Sequence, residues 1–436
     1  MATGIPKITS SPDYSEDVKY IPIALSYEGK EAKSSILSSR FVTHGRTFHV
    51  NTDTAPENTL FWGDNFDVLL QLIQENQLKD QIKLIYIDPP FATKGTFCSK
   101  DQTHAYSDIL SGGQFIEFLR KRLILLHELL AEDGSIYLHL DHNMAFAMKI
   151  IMDEIFGPQN FRAFITRRKC SNKNYTKNTY GNIADYILFY SKSSRFIWNR
   201  PVEQWDQKRI KKEYPCIDEA TGRRYKKVPV HAPGTRNGET GMPWRGKRPP
   251  KGKHWQYTPQ KLDELDSRGE IYWSPSGNPR RKVFFDESSG VPAQDIWMDF
   301  RDSANQNVKT TGYPTEKNLD MLKQIVAASS DAGDYVLDCF CGSGTTLDAA
   351  YSLGRKWIGI DCGTEAIRAV LKRFVTGLEP YGDYVEREEA AAEQTALWDV
   401  SGQKCPFRII TSEDRAPDLQ KILSGLSVIQ DTDPQL

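Results

Sequence analysis

Residues 83–91 read Lys83-Leu84-Ile85-Tyr86-Ile87-Asp88-Pro89-Pro90-Phe91, and the fold of the chain is decided there. The first five residues form a short apolar run, and two prolines stop it soon afterwards. A run of this length, ended by residues that cannot donate to a ladder, is a buried strand. Upstream, residues 65–76 (NFDVLLQLIQEN) place Phe66, Leu69, Leu70 and Ile73 on one helical face. Downstream, after a loop with Gly95, Gly112 and Gly113, residues 114–131 have the pattern of a long amphipathic helix. Residues 135–141 (SIYLHLD) then read as a strand and 144–156 as a helix. Strands alternating with helices predict βαβ units and a parallel sheet, so the expected class is α/β.

The same alternation resumes far along the chain. It predicts a helix over 316–328, a strand over 335–340, a helix over 345–353, a strand over 356–361 and a helix over 364–375. The strand at 335–340 runs into Asp338-Cys339-Phe340-Cys341-Gly342-Ser343-Gly344-Thr345, and Asp361 ends the next strand. Glycines let a backbone pass close to a ligand, and an acid one strand later suits two ribose hydroxyls. A tight turn with no ligand is the plainer reading. A dinucleotide site is a third, but the position of its last glycine holds Leu347, and no G-x-x-x-x-G-K-[ST] motif occurs. A nucleoside cofactor without a pyrophosphate fits best.

At 436 residues the chain is expected to hold a core domain and a substantial insertion. The net charge of −1 hides a strong segregation. Residues 162–253 contain 23 Lys and Arg against 7 Asp and Glu, a balance of +16, leaving −17 for the rest. Cations interleaved with aromatics, as in Arg223-Arg224-Tyr225-Lys226-Lys227 and Trp244-Arg245-Gly246-Lys247-Arg248, suit phosphates and bases. A solvated basic face is the alternative, and Trp273 and Trp297 are expected in this segment's own core. Residues 1–55 are expected to form a partly ordered arm, and 386–436 a polar extension of no assigned role. No apolar run is long enough to span a bilayer and the first residues lack a signal-peptide pattern, so a cytoplasmic, nucleoid-associated location is expected. Seven cysteines without C-x-x-C spacing predict neither a disulfide framework nor a zinc site; Cys339 and Cys341 are expected as buried thiols on one face. No metal is expected, and His104, His127, His139, His142 and His231 are assigned no chemistry.

Asp88 to Phe91 would leave the carboxyl end of a sheet strand, where ligands of α/β sheets bind. Each residue type has a use if the ligand is an exocyclic amino group of a base. Such a nitrogen is a poor nucleophile because its lone pair is delocalised into the ring. A carboxylate from Asp88 and a carbonyl from Pro89, each accepting one N–H, would draw it towards tetrahedral geometry. Pro90 stiffens the loop, and Phe91 offers a face to an extruded base. Alone, the tetrapeptide could be a plain turn.

Taken together, these motifs resemble the DNA amino-methyltransferases, particularly the group that includes modification subunits of type III restriction–modification systems. The resemblance covers residues 57–376. It implies a Rossmann-like, S-adenosylmethionine-dependent methyltransferase fold, circularly permuted. Its parts would be a catalytic half over 56–161, an inserted target-recognition domain over 162–310 and a cofactor-binding half over 311–385. Asp338, Phe340, Gly342, Gly344 and Thr345 match the family's cofactor loop, and Asp361 its ribose acid. Thr315-Glu316-Lys317 resembles the family's T-E-K segment, with Thr315 and Lys317 as cofactor contacts; Asn318 stands where the family often has Pro. Asp64, in Trp62-Gly63-Asp64-Asn65, resembles an element near the donor adenine. The implied catalytic group is Asp88, Pro89, Pro90 and Phe91. The implied DNA contacts are Arg223, Arg224, Lys226, Lys227, Trp244, Arg245, Lys247 and Arg248. Asp at the head of the tetrapeptide resembles the adenine-N6 enzymes, whereas cytosine-N4 enzymes usually carry Ser. The expected function is transfer of a methyl group to adenine N6 in double-stranded DNA by base flipping. Cytosine-N4 transfer and a non-catalytic DNA-binding subunit are the alternatives. A homodimer and a restriction subunit are the further partners that the resemblance implies.

Overall fold

The computed structural model describes residues 23–52, 55–75, 77–90, 112–173, 178–203, 205–286, 290–302, 309–314, 316–380, 405–424, 426 and 429–431. The chain divides into two compact units, Arg200–Ala293 and the remainder on either side of it.

The larger unit is built on one sheet. Its strands are β1 (Arg46–Val50), β2 (Thr59–Trp62), β3 (Ile82–Ile87), β4 (Leu130–Leu140), β5 (Phe161–Arg168) and β6 (Ala184–Ser191). The smaller unit contributes β7 (Cys216–Ile217), β8 (Arg224–Pro229), β9 (Ile271–Trp273) and β10 (Pro279–Phe284) to a sheet of its own. The main sheet then continues with β11 (Ile296–Trp297), β12 (Tyr335–Asp338), β13 (Lys356–Asp361), β14 (Phe407–Thr411) and β15 (Ile429–Asp431). The order across the main sheet is β11-β5-β6-β4-β3-β12-β13-β2-β14-β1-β15. From β4 to β14 every neighbouring pair is parallel. The apolar runs read from sequence are four of these strands, β4, β3, β12 and β13, buried on both faces as parallel strands are, while β2 and β14 were not read.

Helices cover both faces. On one lie α1 (Asn65–Gln74), α2 (Gly113–Leu129) and α3 (Ala145–Phe156), whose Leu69, Leu123 and Met148 pack with Ile85, Ile87, Leu138 and Leu337. The smaller unit's only long helix among the described residues is α4 (Pro259–Ser267). The opposite face of the main sheet carries α5 (Leu319–Ser329), α6 (Thr345–Ser352), α7 (Thr364–Leu371) and α8 (Ala416–Leu423). Their Met321, Leu347, Val370 and Leu419 pack with Leu84, Tyr86, Tyr137 and Val336. Successive strand residues point to opposite faces, so Leu84 and Tyr86 look one way and Ile85 and Ile87 the other.

Several expectations change. The segment expected as an arm holds β1, and the C-terminal segment holds β14 and α8. Phe48, Val50, Phe407 and Ile409 alternate inward, in runs of only five residues. The basic stretch starts earlier than its unit does. β5 and β6 pair with each other and extend the main sheet through β4, so residues 162–199 belong to the larger unit. Arg162, Arg167 and Arg168 mask the alternation of β5, whereas residues 185–190 of β6 do read as a short strand-like piece. Trp297 likewise lies on β11 and packs in the main core. Cys339 and Cys341 are both buried but sit in different cores, because the strand ends at Asp338 and the turn breaks the alternation.

The smaller unit is a four-stranded antiparallel sheet, β9-β10-β8-β7, with α4. Its small core is Val230, Trp244, Trp255, Leu262, Leu265 and Ile271. Among the described residues no helix is long and apolar enough to cross a membrane.

His127, in the last turn of α2, packs edge-on against Phe156 at 5.0 Å. Burial, with Lys192 and Lys33 nearby, holds its imidazole down to about 4. The unfolded chain therefore binds the extra proton more readily, and stability falls as pH drops from about 6.5 towards about 4. His127→Gln should flatten the pH dependence of the thermal midpoint over that window; an unchanged slope would contradict this account.

Candidate active site

Parallel strands bring their carboxyl ends to one edge of the sheet. In the order β4-β3-β12-β13-β2 that edge collects His139, Asp88, Asp338 and Asp361, with Asp64 just past β2. From β3 the chain crosses to β4 through α2, and from β12 it crosses the opposite way to β13 through α6. A reversal of this kind opens a crevice at the strand ends.

Alternation puts Asp88 on the face of Leu84 and Tyr86. Its Oδ2 pairs with Lys317 Nζ at 2.8 Å. Its Oδ1 is shielded from solvent and has no hydrogen-bond donor among the described residues. His139 Nδ1 lies 3.9 Å from that oxygen and 2.7 Å from the Tyr86 hydroxyl. A polar row continues behind it along the same face. His139 Nε2 stands 3.5 Å from Asp185 Oδ2, Lys169 Nζ donates to Asp185 Oδ1 at 2.8 Å, and Arg167 lies directly across from Asp185 in the ladder. With hydrogen on Nε2 facing Asp185, Nδ1 accepts from Tyr86. Burial, helped by the Lys317 charge, lowers the His139 pKa and keeps the ring neutral. Burial alone would raise Asp185, but His139 and Lys169 hold it well below the usual carboxylate range. His139 escaped the sequence reading as one of several scattered histidines. The available signal was its place in residues 135–141, two positions after Tyr137 on a strand beside β3.

The glycine loop joins β12 to α6. Gly342 and Gly344 have φ of +48° and +75°, the left-handed region that glycine tolerates. A Cβ on Gly344 would stand 3.0 Å from a Val370 methyl. Asp338 accepts from the Phe340 amide at 3.0 Å and the Thr346 hydroxyl at 2.6 Å. Burial nevertheless pushes Asp338 up to about 7. Asp361 accepts from the amides of Gly342, at 2.9 Å, and Gly363, at 2.8 Å. Burial raises its pKa as well. A half-buried carboxylate with lone pairs to spare, beside a side-chain-free turn, fits a ligand that brings hydroxyl donors. Phe340 is half-buried at 6.2 Å from Phe118, over which the Arg122 guanidinium sits at 3.6 Å. Asp64 caps α1 by accepting from the Phe66 amide at 2.7 Å and pairs with Arg122 at 3.2 Å. The Thr345 hydroxyl is turned inward to Ser343 at 3.0 Å. Asn318 caps α5, accepting from the Met321 amide at 3.0 Å, which explains an Asn where the family often has Pro. Pro89 is buried and Pro90 half-buried. Phe91 and Thr315 lie outside the described residues.

In the smaller unit the expected DNA contacts separate. Trp244 is 1% exposed, donates to Asp263 at 2.9 Å and stacks on Trp273 at 5.0 Å, so it is a core residue and not a DNA contact. Burial of so large a side chain completes a core this small unit could not otherwise build. Trp244 and Lys247 exchange both backbone hydrogen bonds, at 2.9 Å each, around a turn in which Arg245 and Gly246 have φ of +47° and +77°. Arg245 pairs with Asp263 and Asp266, while Arg248 is exposed. Lys226 and Lys227 lie over Tyr214 and Tyr272 at 4.8 and 3.6 Å, and Arg223 over Phe284 at 4.5 Å. Arg224 reaches the Tyr214 carbonyl at 3.4 Å.

A family model for N6/N4 methyltransferases, described as DNA methylase, matches residues 82–372, from β3 to the end of α7. The chain belongs to this DNA methylase family. Type II methyltransferase M.EcaI of Enterobacter cloacae is 49% identical over 366 residues, covering 83% of this chain and 80% of that one. The StyLTI Mod subunit of Salmonella typhimurium, part of a type III restriction–modification enzyme, is 27% identical over 69% of this chain and 50% of its own length. The EcoP15I Mod subunit of Escherichia coli is 26% identical over 69% and 56%. The methylase thus spans about half the length of these two Mod subunits. Among solved structures, TTHA0409 of Thermus thermophilus aligns over 74% of this chain and 97% of its own, with 16% identity and a TM-score of 0.39. The M1.HpyAVI–SAM complex aligns over 72% and 98%, with 15% identity and a TM-score of 0.37.

Asp185 neutralises two cations in this methylase, one of them fully buried Arg167. Asp185→Ala should destabilise it by about 1–3 kcal/mol, because Lys169 loses its buried acceptor while Arg167 keeps its pair with Asp302 at 2.5 Å. Urea unfolding measures this, and a loss below about 1 kcal/mol would show that the row carries little.

Proposed function

We propose that this methylase transfers a methyl group from S-adenosylmethionine to N6 of an adenine flipped out of double-stranded DNA. The observation that carries the reading is the state of Asp88. One carboxylate oxygen is held by Lys317, and the other is dry and without a donor among the described residues. A buried acceptor lacking a donor is costly, and an incoming amino N–H would complete it.

The donor would lie along the glycine loop. Asp361 would take its ribose hydroxyls, Gly342 and Gly344 would let its backbone-hugging atoms approach, and Phe340 and Asp338 would flank it. When bound, S-adenosylmethionine supplies an electrophilic methyl group on a sulfonium. The chain's own residues prepare the acceptor. Asp88 Oδ1 and the Pro89 carbonyl each accept one N–H, which localises the nitrogen lone pair. Lys317 holds the other Asp88 oxygen at 2.8 Å, and neutral His139 adds no competing charge. Holding amine and methyl group in line is a proximity effect worth several kcal/mol. Asp at the head of the tetrapeptide supports adenine over cytosine.

Arg200–Ala293 is the reading's target-recognition unit, with 20 Lys and Arg against 12 Asp and Glu. Arg223, Arg224, Lys226, Lys227, Lys247 and Arg248 would neutralise phosphates or read base edges. A homodimer or a restriction subunit would be partners beyond DNA, and the cytoplasm, at the nucleoid, its location.

Asp88→Ala should slow methyl transfer by about 100-fold or more while S-adenosylmethionine still binds, since transition-state contacts of this kind are worth at least that much. Incorporation of labelled methyl at the wild-type rate would sink the mechanism. Mass spectrometry of nucleosides from DNA methylated by the wild-type enzyme should find N6-methyladenine; N4-methylcytosine in its place would reassign the base.

A further inference from the structure

The glycine loop and the segment at 316–317 lie apart in sequence, and one arginine ties them together. Arg373 sits in the π-helical turn Lys372–Thr376 that continues α7, with its side chain 2% exposed. Its Nε donates to the Ser343 carbonyl at 2.9 Å and one terminal nitrogen pairs with Asp348 at 2.8 Å. The other terminal nitrogen pairs with Glu316 at 2.6 Å and reaches the Thr345 hydroxyl at 3.2 Å. Glu316 is itself 5% exposed, and its second oxygen accepts from the Thr311 amide at 2.9 Å and the Thr311 hydroxyl at 2.5 Å. A planar guanidinium can serve four acceptors in separate directions, whereas an ammonium presents one point charge. π turns are rare and gather at functional sites, and this one widens the helix where an inward cation is needed.

The next residue faces the acceptor. Glu316 is locked to the glycine loop through Arg373, while Lys317 grips Asp88 at 2.8 Å. Two adjacent residues thus hold the donor side and the acceptor side of the site. We infer that Arg373 is a positioning residue: it sets the Lys317–Asp88 contact from the glycine loop, so that donor binding and the readiness of Asp88 are coupled. This rests on the methyltransferase reading above.

A double-mutant cycle tests it, with two readouts. Isothermal titration with S-adenosylmethionine, without DNA, should show Arg373→Lys binding about tenfold or more weakly, as expected for a disrupted buried ion pair. Single-turnover methyl transfer at saturating donor should be slowed by Lys317→Met and by Arg373→Lys. The double variant should be no slower than the slower single, within about twofold, because both changes act on one contact. Multiplied slowing in the double variant, or unaltered donor affinity in Arg373→Lys, would overturn the inference. If Arg373→Lys does not fold, Glu316→Gln takes its place in the same cycle with the same expectations. A wild-type protein that binds donor but methylates no DNA would remove the methyltransferase reading, and the titration of Arg373→Lys would still decide whether the arginine shapes the donor loop.

Discussion

Three carboxylates, Asp88, Asp338 and Asp361, end adjacent parallel strands, and the architecture around them is organised by the need to keep like charges tolerable in a dry place. Each is compensated differently. Asp88 has a lysine, Asp338 an amide and a hydroxyl, Asp361 two backbone amides of glycine-rich turns. A mobile side chain, a short hydroxyl and rigid backbone dipoles leave different amounts of acceptor capacity behind. Of the three, only Asp88 retains an oxygen with no donor among the described residues. Such unequal satisfaction of similar groups separates roles within one site.

Much of this was legible beforehand, for a physical reason. A parallel strand buried on both faces is a continuous apolar run, and residues 83–87 and 356–361 are such runs. The residues following them must then lie at the ligand edge. Strands with only one apolar face were harder to see. β5 and β6 carry Arg162, Arg167 and Asp185 in the ladder, and their polarity mimicked an insertion. β1 and β14 are five-residue strands whose meaning depends on a partner far away in sequence. His139 and Arg373 were illegible for a related reason. Each works through neighbours that only the register of the sheet, or a π turn, brings within reach.

The smaller unit shows the same lesson in reverse. Its cation–aromatic alternation was read as one functional surface, yet a unit of this size needs large side chains inside. Trp244 is consumed by the core, and beyond the tight turn at Arg245-Gly246 Arg248 is exposed. Within such a segment, the aromatic residues build, and several cations are tied to them or to carboxylates.

The position of β12 has a consequence for how the molecule comes into being. It is a central strand, between β3 and β13, yet it emerges from the ribosome about 250 residues after β3, a separation that makes closure of the sheet slow. Until then, β3 has one open edge and Asp88 has no glycine loop beside it. A nascent or truncated chain ending before that strand therefore cannot assemble the site, and its exposed apolar edge would invite chaperones or self-association.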